Sequence, residues 1–441
     1  MSKKFIIFCA LIFVIFVFSG CGGSSKELNT IMLGNEQFDM YIPMLNGKRV
    51  ALYSNHTGIV GDKIFRQDGT AIPNSSLGAD TPFGTDANGN EIVYGEHILD
   101  ALLERGVNVQ AIFCPEHGFR GTEDAGADVD NSVDEKTGIP ILSLYENNTY
   151  LLPLGAMEKF DTLVVDMQDV GLRYYTYYIT LYYLMDDCAK AGKEVVILDR
   201  PNPNGFYVDG PILQEEYKSV VGQLPIPVVY GMTWGELAQM INGEGWLNAG
   251  KNACNLTVIP CKNYSREMKT SLIRRPSPNL KDMRAVYLYA STCFFENTLV
   301  SVGRGTNFPF EIYGSPYLKD VEEFNFSFTP RSMDGALNPP FEGEACYGVD
   351  LRNVPIKDIW NNGINPDYLV SMYKAVTAVR TDKSFWGNPD SQGHYWIDKL
   401  SGSNALRTMI EEGKTAQEIK DSWKNDVEFF KKQREPYLIY E

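Results

Sequence analysis

Short apolar strands alternate with amphipathic helices between residues 46 and 275, and this alternation constrains the fold more than any other feature. The predicted strands are residues 49–54, 107–113, 139–145, 162–167, 194–198 and 256–260. The predicted helices are residues 96–105, 173–191 and 233–242. Nearly all-apolar, β-branched strands are typical of parallel strands buried on both faces. The pattern therefore predicts the α/β class, with a Rossmann-like, mostly parallel sheet.

The regular alternation stops near residue 275. Segments rich in Pro, Gly and aromatic residues then alternate with short helical stretches, and residues 414–434 are predicted to form a charged amphipathic helix. We therefore expect a Rossmann-like N-terminal domain at 46–275 and a smaller α+β C-terminal domain at 276–441, which completes a cleft. The polar segment 67–95 is predicted to be an exposed excursion.

The N-terminus has the composition of an export signal. Lys3 and Lys4 precede an unbroken apolar run at residues 5–18, which is too short to span a membrane but fits a signal-peptide core. Small residues then precede Cys21, as at a bacterial lipoprotein cleavage site. We predict a signal peptide at 1–20, lipidation of Cys21 and a tether at 21–45. This describes an exported, membrane-anchored lipoprotein, periplasmic or on the cell surface; the alternative is ordinary signal cleavage nearby.

Charge and motifs exclude several functions. The formal net charge is −16, which argues against a nucleic-acid partner. No GxGxxG follows the first strand and no GxxxxGK[ST] occurs, so we predict no nucleotide cofactor. HExxH and GxSxG are also absent, and we predict no metal, although a magnesium site at Asp166 and Asp169 is conceivable.

Polar residues follow four of the predicted strands, whose carboxyl ends meet at one edge of a parallel sheet. Glu116, beside apolar Phe113 and Phe119, is the leading candidate for a proton donor, because such surroundings raise a carboxyl pKa. His117 can bind substrate, orient Glu116 or act as a base, and the alternative for both is a structural role. We expect one of two further carboxylates, Asp166 and Asp169, to support Arg173 and the other to face the cleft.

Other candidates would bind a ligand rather than react with it. Arginines can hold an anionic group in bidentate fashion, two tyrosines near a strand end can line a sugar site, and amides and hydroxyls can bond sugar hydroxyls. The bland alternatives are structural ion pairs, core packing and turn chemistry. We also expect segments 294–297 and 303–306 to close over the cleft. The candidates are Asn55, Thr57, Arg120, Arg173, Tyr175, Tyr177, Asn202, Glu296 and Arg304.

Several strings, taken in order, resemble one family. They are SNHTG (54–58), PEHGFRG (115–121), DMQDVGLRYYTY (166–177), LDRPNPNG (198–205), DGPIL (209–213), PSPN (276–279), CFFENTLVSVGRGTNFPFEIYGSP (293–316) and IDKLSGS (397–403). Together they resemble the NamZ-type exo-β-N-acetylmuramidases, formerly a conserved family of unknown function. The resemblance covers roughly residues 45–441.

The resemblance implies a glycoside hydrolase that releases terminal N-acetylmuramic acid from the non-reducing ends of peptidoglycan fragments. It also implies that Glu116, in the Pro-Glu-His-Gly motif, is the catalytic acid. The second catalytic role stays open, because Asp166 or Asp169 can activate water, or the substrate acetamide can attack while an Asp orients it. Two other functions remain: a non-catalytic muropeptide-binding lipoprotein, or a metal-dependent amidase or esterase using Asp166, Asp169 and His117.

Overall fold

A seven-stranded, mostly parallel sheet forms the centre of the molecule in a computed structural model. The structure describes residues 30–61, 63–73, 77–114, 119, 132–146, 149–150 and 152–441. The strands in these ranges are β1 (Arg49–Ser54), β2 (Lys63–Arg66), β3 (Ala71–Pro73), β4 (Ile92–Val93), β5 (Asn108–Cys114), β6 (Ser132–Val133), β7 (Pro140–Ser143), β8 (Tyr145–Glu146), β9 (Thr149–Tyr150), β10 (Thr162–Asp166), β11 (Glu194–Leu198), β12 (Asp209–Ile212), β13 (Pro227–Val229), β14 (Asn255–Ile259), β15 (Ile312–Ser315), β16 (Phe326–Phe328) and β17 (Cys346–Asp350).

The strand order in the central sheet is β14-β11-β10-β1-β5-β7-β6. All neighbouring pairs are parallel except β6 with β7, at one edge. The crossover connections that parallel strands require are supplied largely by helices. The α/β class and the mostly parallel sheet are therefore confirmed.

Helices cover both faces of this sheet. The helices of the described residues are α1 (Phe38–Leu45), α2 (Ile98–Glu104), α3 (Tyr177–Lys190), α4 (Trp234–Glu244), α5 (Met283–Thr292), α6 (Ile356–Asn362), α7 (Pro366–Val379), α8 (Trp396–Ser401), α9 (Ala405–Glu411), α10 (Ala416–Ser422) and α11 (Lys424–Arg434). None of them is long and apolar enough to cross a membrane.

Alternation along the buried strands divides the core between the two faces. In β10, Leu163 and Val165 pack on one face with α3 and α4, whereas Val164 packs on the other face with α1 and α2. Successive strand side chains point to opposite faces, so a strand buried on both sides must be apolar throughout. This requirement explains why β1, β10 and β11 could be predicted from the sequence.

The C-terminal part shares the first of these two cores. It contains the antiparallel sheet β15-β17-β16 and helices α5 to α11. One continuous cluster of buried side chains runs from Leu163 and Val165 to Phe430 on α11. Residues 31–441 form one compact unit, and residues 31–45, within the predicted tether, belong to it. The boundary between residues 275 and 276 stays a prediction.

Some elements differ from the expected pattern. Helix α3 begins at Tyr177 rather than near residue 173, because Gly171 adopts a left-handed φ of 76° and the chain turns before the helix starts. The predicted helix at 414–434 is two helices separated at Trp423. The polar segment 67–95 contributes β3 and β4 to a small antiparallel sheet around β2. Six cysteines in the described residues, including Cys254 and Cys261, are buried free thiols.

Candidate active site

The carboxyl ends of β1, β10 and β11 lie side by side, as the sequence predicts. Ser54 at the end of β1 is in register with Asp166 at the end of β10, and the Ser54 hydroxyl donates to the Asp166 carbonyl at 2.6 Å. The loops that follow these strands therefore emerge together at one edge of the sheet.

Asp166 is fully buried, and both of its carboxylate oxygens accept hydrogen bonds. The Arg200 guanidinium contacts both carboxylate oxygens, with Nε to Oδ1 at 2.6 Å and Nη2 to Oδ2 at 3.0 Å, and Asn35 also donates to Oδ2 at 2.9 Å. The expected partnership of one aspartate with Arg173 is therefore replaced by the Asp166–Arg200 pair. Because both of its oxygens accept hydrogen bonds and a buried arginine pairs with it, Asp166 holds the strand ends together.

Asp169 is the carboxylate that faces a space at this edge. Its Oδ2 accepts hydrogen bonds from Gly171 N at 2.8 Å and from the Tyr230 hydroxyl, and its Oδ1 has no hydrogen-bond partner among the described residues. Burial raises the pKa of Asp169 to about 6, against the opposing effect of these donors and of the Trp234 indole. The carboxyl group is thus ionised at neutral pH and more basic than an exposed aspartate.

A cavity of about 10 Å³ lies beside Asp169, between the ends of β10 and β11. This volume accommodates roughly one water molecule. Its walls include charged, amide and indole side chains. They are Met167, Gln168, Asp169, Arg200, Pro201, Asn202, Met232, Thr233 and Trp234.

Asn55 and Thr57 form a buried network that joins β1 to β10. The Thr57 hydroxyl donates to Asn55 Oδ1 at 2.6 Å and accepts from Gln168 N at 3.0 Å. The Asn55 amide nitrogen is buried and has no hydrogen-bond partner among the described residues. Thr57 therefore serves the fold, whereas neither N–H of the Asn55 amide bonds a described residue.

Asn202 supports a turn instead of binding a ligand. Its Oδ1 accepts from Asn204 N and its Nδ2 donates to Met232 O, both at 2.8 Å. A Cβ placed on Gly171 would lie 2.1 Å from this Oδ1, so glycine is required where the two loops meet. The predicted substrate-binding role is replaced by turn chemistry, because both ends of the amide are occupied.

Arg173 also departs from its predicted role. Its side chain is fully buried, and its guanidinium donates to the carbonyls of Pro211 at 2.8 Å, Ile226 at 2.5 Å and Leu400 at 2.9 Å. Burial without a carboxylate partner lowers the pKa of Arg173 to about 10. Arg173 therefore connects the region before α3 to α8 and does not face an anionic ligand.

Tyr175 and Tyr177 are core residues. Both side chains are buried, their ring centroids are 4.8 Å apart, and the Tyr175 hydroxyl donates to Pro276 O at 2.6 Å. Tyr175 anchors the segment at Pro276 to the strand-end edge, and neither buried ring lines an open sugar site. The sequence could not show this, since the acceptor lies 101 positions away along the chain.

Glu296 and Arg304 form an ion pair in the C-terminal part. Arg304 Nε donates to Glu296 Oε1 at 2.6 Å, and both side chains are about a quarter exposed. The Arg304 guanidinium carbon lies 5.0 Å from the Phe310 ring centroid. Neither Nη group of Arg304 bonds a described residue, so this arginine can still receive an anionic group.

Sequence reasoning missed several residues that shape the edge. Arg200 and Tyr230 hold the two aspartates, and the 274–276 segment crosses over the end of β1, where Arg275 O lies 2.9 Å from His56 Nε2. Arg200 stands directly after β11 in the string LDRPNPNG, so its position was a usable signal. No such signal in the sequence indicated Tyr230, because its contact with Asp169 depends on how β13 packs.

Four predicted site residues lie outside the described part of the chain. They are Cys21, before the first described residue, and Glu116, His117 and Arg120, in the segment that follows β5. Within the described ranges no group of three or more His, Cys, Asp or Glu side chains is arranged to hold a metal ion.

Comparisons with known proteins give the family. The sequence model of "Exo-beta-N-acetylmuramidase NamZ, N-terminal" matches residues 87–284, and that of the C-terminal domain matches residues 287–440. The chain is 33% identical over 417 residues to the peptidoglycan beta-N-acetylmuramidase NamZ of Bacillus subtilis strain 168, covering 91% of this chain and 89% of the relative. The chain belongs to the NamZ family.

Two solved structures share the fold seen here. Both are DUF1343 family proteins from Bacteroides fragilis NCTC 9343, with TM-scores of 0.76 at 47% identity and 0.71 at 27% identity. In each case the match covers 93% of this chain and 99% of the other. Asp169 lies in the part matched by the NamZ N-terminal model, whereas Glu296 and Arg304 lie in the part matched by the C-terminal model.

Proposed function

We propose that this protein is an exo-acting glycoside hydrolase that releases terminal β-linked N-acetylmuramic acid from the non-reducing ends of peptidoglycan fragments. The observation that carries the proposal is the 33% identity to a peptidoglycan beta-N-acetylmuramidase over nine-tenths of the chain. The strand-end edge with a basic, buried carboxylate supports it, since glycoside cleavage commonly uses a pair of carboxyl groups.

In this proposal Glu116 is the general acid that protonates the leaving oxygen. The support comes from the sequence: Glu116 follows β5, whose end is next to that of β1 in the sheet, and it stands in the Pro-Glu-His-Gly string. His117, its neighbour, would orient Glu116 or contact the sugar.

Asp169 is the second catalytic group in this proposal. Asp169 is preferred over Asp166 because Arg200 and Asn35 contact both oxygens of Asp166, whereas Asp169 Oδ1 has no partner among the described residues. A carboxylate with a pKa of about 6 is a competent base at neutral pH. Asp169 would deprotonate a water at the anomeric carbon or orient the substrate acetamide.

Recognition of the acidic sugar is assigned to Arg304, with Arg120 as a second candidate. N-acetylmuramic acid carries a lactyl carboxylate, which an arginine can bind through two parallel hydrogen bonds. Neither Nη group of Arg304 bonds a described residue, so both can serve this contact, while Nε donates to Glu296.

The test is hydrolysis of a chromogenic β-N-acetylmuramide by the soluble protein, with identification of the product. Glu116→Gln and Asp169→Asn are each expected to lose roughly a hundredfold or more in kcat. Glu323→Gln, at an exposed position, is the control and should keep wild-type activity. A wild type that releases no N-acetylmuramic acid from this substrate would contradict the proposal, and full activity of Glu116→Gln would contradict the assignment of Glu116 as the general acid.

Two further measurements distinguish the proposed hydrolase from its two alternatives. Activity that disappears on chelation and returns with a divalent cation would favour a metal-dependent amidase or esterase over the proposed hydrolase. Binding of muropeptides without any turnover would favour a non-catalytic cell-wall protein.

We also propose that lipid on Cys21 anchors the mature protein to a membrane. The support is the sequence pattern of a short basic start, an apolar run and small residues before the cysteine. Labelling with a radioactive fatty acid should mark the wild type and not Cys21→Ala. An unlabelled wild type in the membrane fraction would contradict the proposal.

A further inference from the structure

A second cavity, which we call the C-terminal pocket, lies between three segments of the C-terminal part. Its volume is about 510 Å³, within the range of small-molecule sites. The strand-end residues described above do not line it. Its lining residues are Asn297, Thr298, Pro340, Phe341, Gly387, Asn388, Pro389, Asp390, His394, Trp396 and Lys399.

The C-terminal pocket lies near the Glu296–Arg304 pair. Asn297 directly follows Glu296, and Gly305 directly follows Arg304. A Cβ on Gly305 would lie 2.6 Å from Pro339, the neighbour of the lining residue Pro340. The pocket is therefore next to the residue pair assigned to the acidic sugar.

The chemistry of the lining favours a neutral, hydroxyl-rich ligand. Phe341 and Trp396 provide aromatic surface, and the side-chain amides of Asn297 and Asn388 lie at exposed positions of the lining. The charges of Asp390 and Lys399 cancel in an ion pair of 2.6 Å. Aromatic faces combined with exposed amides and no net charge suit a sugar ring, which has apolar C–H faces and polar edges.

The backbone around the C-terminal pocket is also unusual. Asn297 and Phe341 both have a φ of 59°, although neither is glycine, and Gly387 has a φ of 74°. A Cβ on Gly387 would lie 2.5 Å from Asn297 O, so these two segments approach as closely as glycine allows. Such conformations carry strain and persist where the surrounding structure imposes them, often at ligand sites.

We propose that the C-terminal pocket binds a neutral N-acetylated saccharide unit. Resting on the proposed function, this unit would be a sugar of the same glycan beyond the terminal one that is released. Trp396 and Phe341 would contact the ring faces, while Asn297 and Asn388 would bond its hydroxyl or acetamide groups.

The experiment is calorimetric titration of the soluble protein with the trimer of N-acetylglucosamine, which is neutral and lacks the lactyl carboxylate. Trp396→Ala is expected to weaken binding at least about tenfold, as for a buried aromatic anchor. Asn388→Ala, at an exposed position that threatens folding less, should weaken it about threefold or more through its lost hydrogen bonds. Phe429→Ala, at an exposed aromatic on α11, is the control and should bind like the wild type.

Two outcomes would overturn the proposal: a wild type that does not bind the trimer, or binding that Trp396→Ala and Asn388→Ala leave unchanged. Thermal unfolding of each variant establishes that the variant is folded. A loss of trimer binding can then be attributed to the pocket and not to a loss of structure. Binding is measured without turnover. Its failure is therefore distinguishable from a failure of the proposed hydrolysis, which is measured on a single-sugar chromogenic substrate.

Discussion

Replacing Asp169 by Asn should make the protein more stable while it removes the proposed activity. Burial raises the pKa of Asp169 to about 6, whereas an aspartate in the unfolded chain titrates near 3.9. A group whose pKa is raised in the folded state contributes stability below its unfolded pKa, and this contribution is lost as pH rises through the folded pKa. With 1.36 kcal/mol per pKa unit, the wild type loses about 3 kcal/mol between about pH 4 and pH 6.

The Asn side chain keeps the shape of Asp169 without this titration. Its oxygen can still accept from Gly171 N, and its amide would stand where Oδ1 has no hydrogen-bond partner among the described residues. The difference in the free energy of unfolding should therefore grow from near zero below pH 4 to about 3 kcal/mol in favour of Asp169→Asn at pH 7.

Urea unfolding at several values between pH 3.5 and pH 7.5 measures this difference directly. Asp320→Asn, at an exposed position, is the matched control and should follow the wild type throughout. Stability curves for wild type and Asp169→Asn that run parallel across this range would refute the reasoning. Wild-type kcat in the variant would refute the catalytic assignment alone.

Three further substitutions test the buried contacts by urea unfolding. Arg173→Met should lower the free energy of unfolding by about 3 kcal/mol or more, because three carbonyls lose their hydrogen-bond donor. The KM of the folded fraction should stay unchanged, and a raised KM would support the predicted role of Arg173 in ligand binding. Asp166→Ala should cost about 3–5 kcal/mol by leaving Arg200 buried and unpaired, and a neutral effect would contradict that pairing. Gly171→Ala should cost roughly 1–3 kcal/mol through its positive φ and its contact with Asn202, whereas wild-type stability would show that the loops can separate.

The local pattern of apolar residues in the sequence was enough to predict the central sheet. β1 and β11 have the predicted bounds, and β10 ends one residue earlier than predicted, because strands buried on both faces must be apolar along their whole length. Parallel pairing then requires their carboxyl ends to meet, so the edge that carries Asp166 and Asp169 could also be located. The family motifs identified the reaction class without any structure.

The roles of individual side chains at that edge depend on the tertiary structure. The sequence alone offered Arg173 as a partner for an aspartate, but packing places it among three carbonyls and places Arg200 against Asp166. Tyr175 likewise finds its acceptor at Pro276. The role of a buried polar side chain depends on which donors and acceptors lie within hydrogen-bond distance, and these partners come from segments that are distant in sequence. The sequence therefore determined the class, the sheet and the edge, whereas only the folded chain decided that Asp169, and not Asp166, has an oxygen without a partner among the described residues.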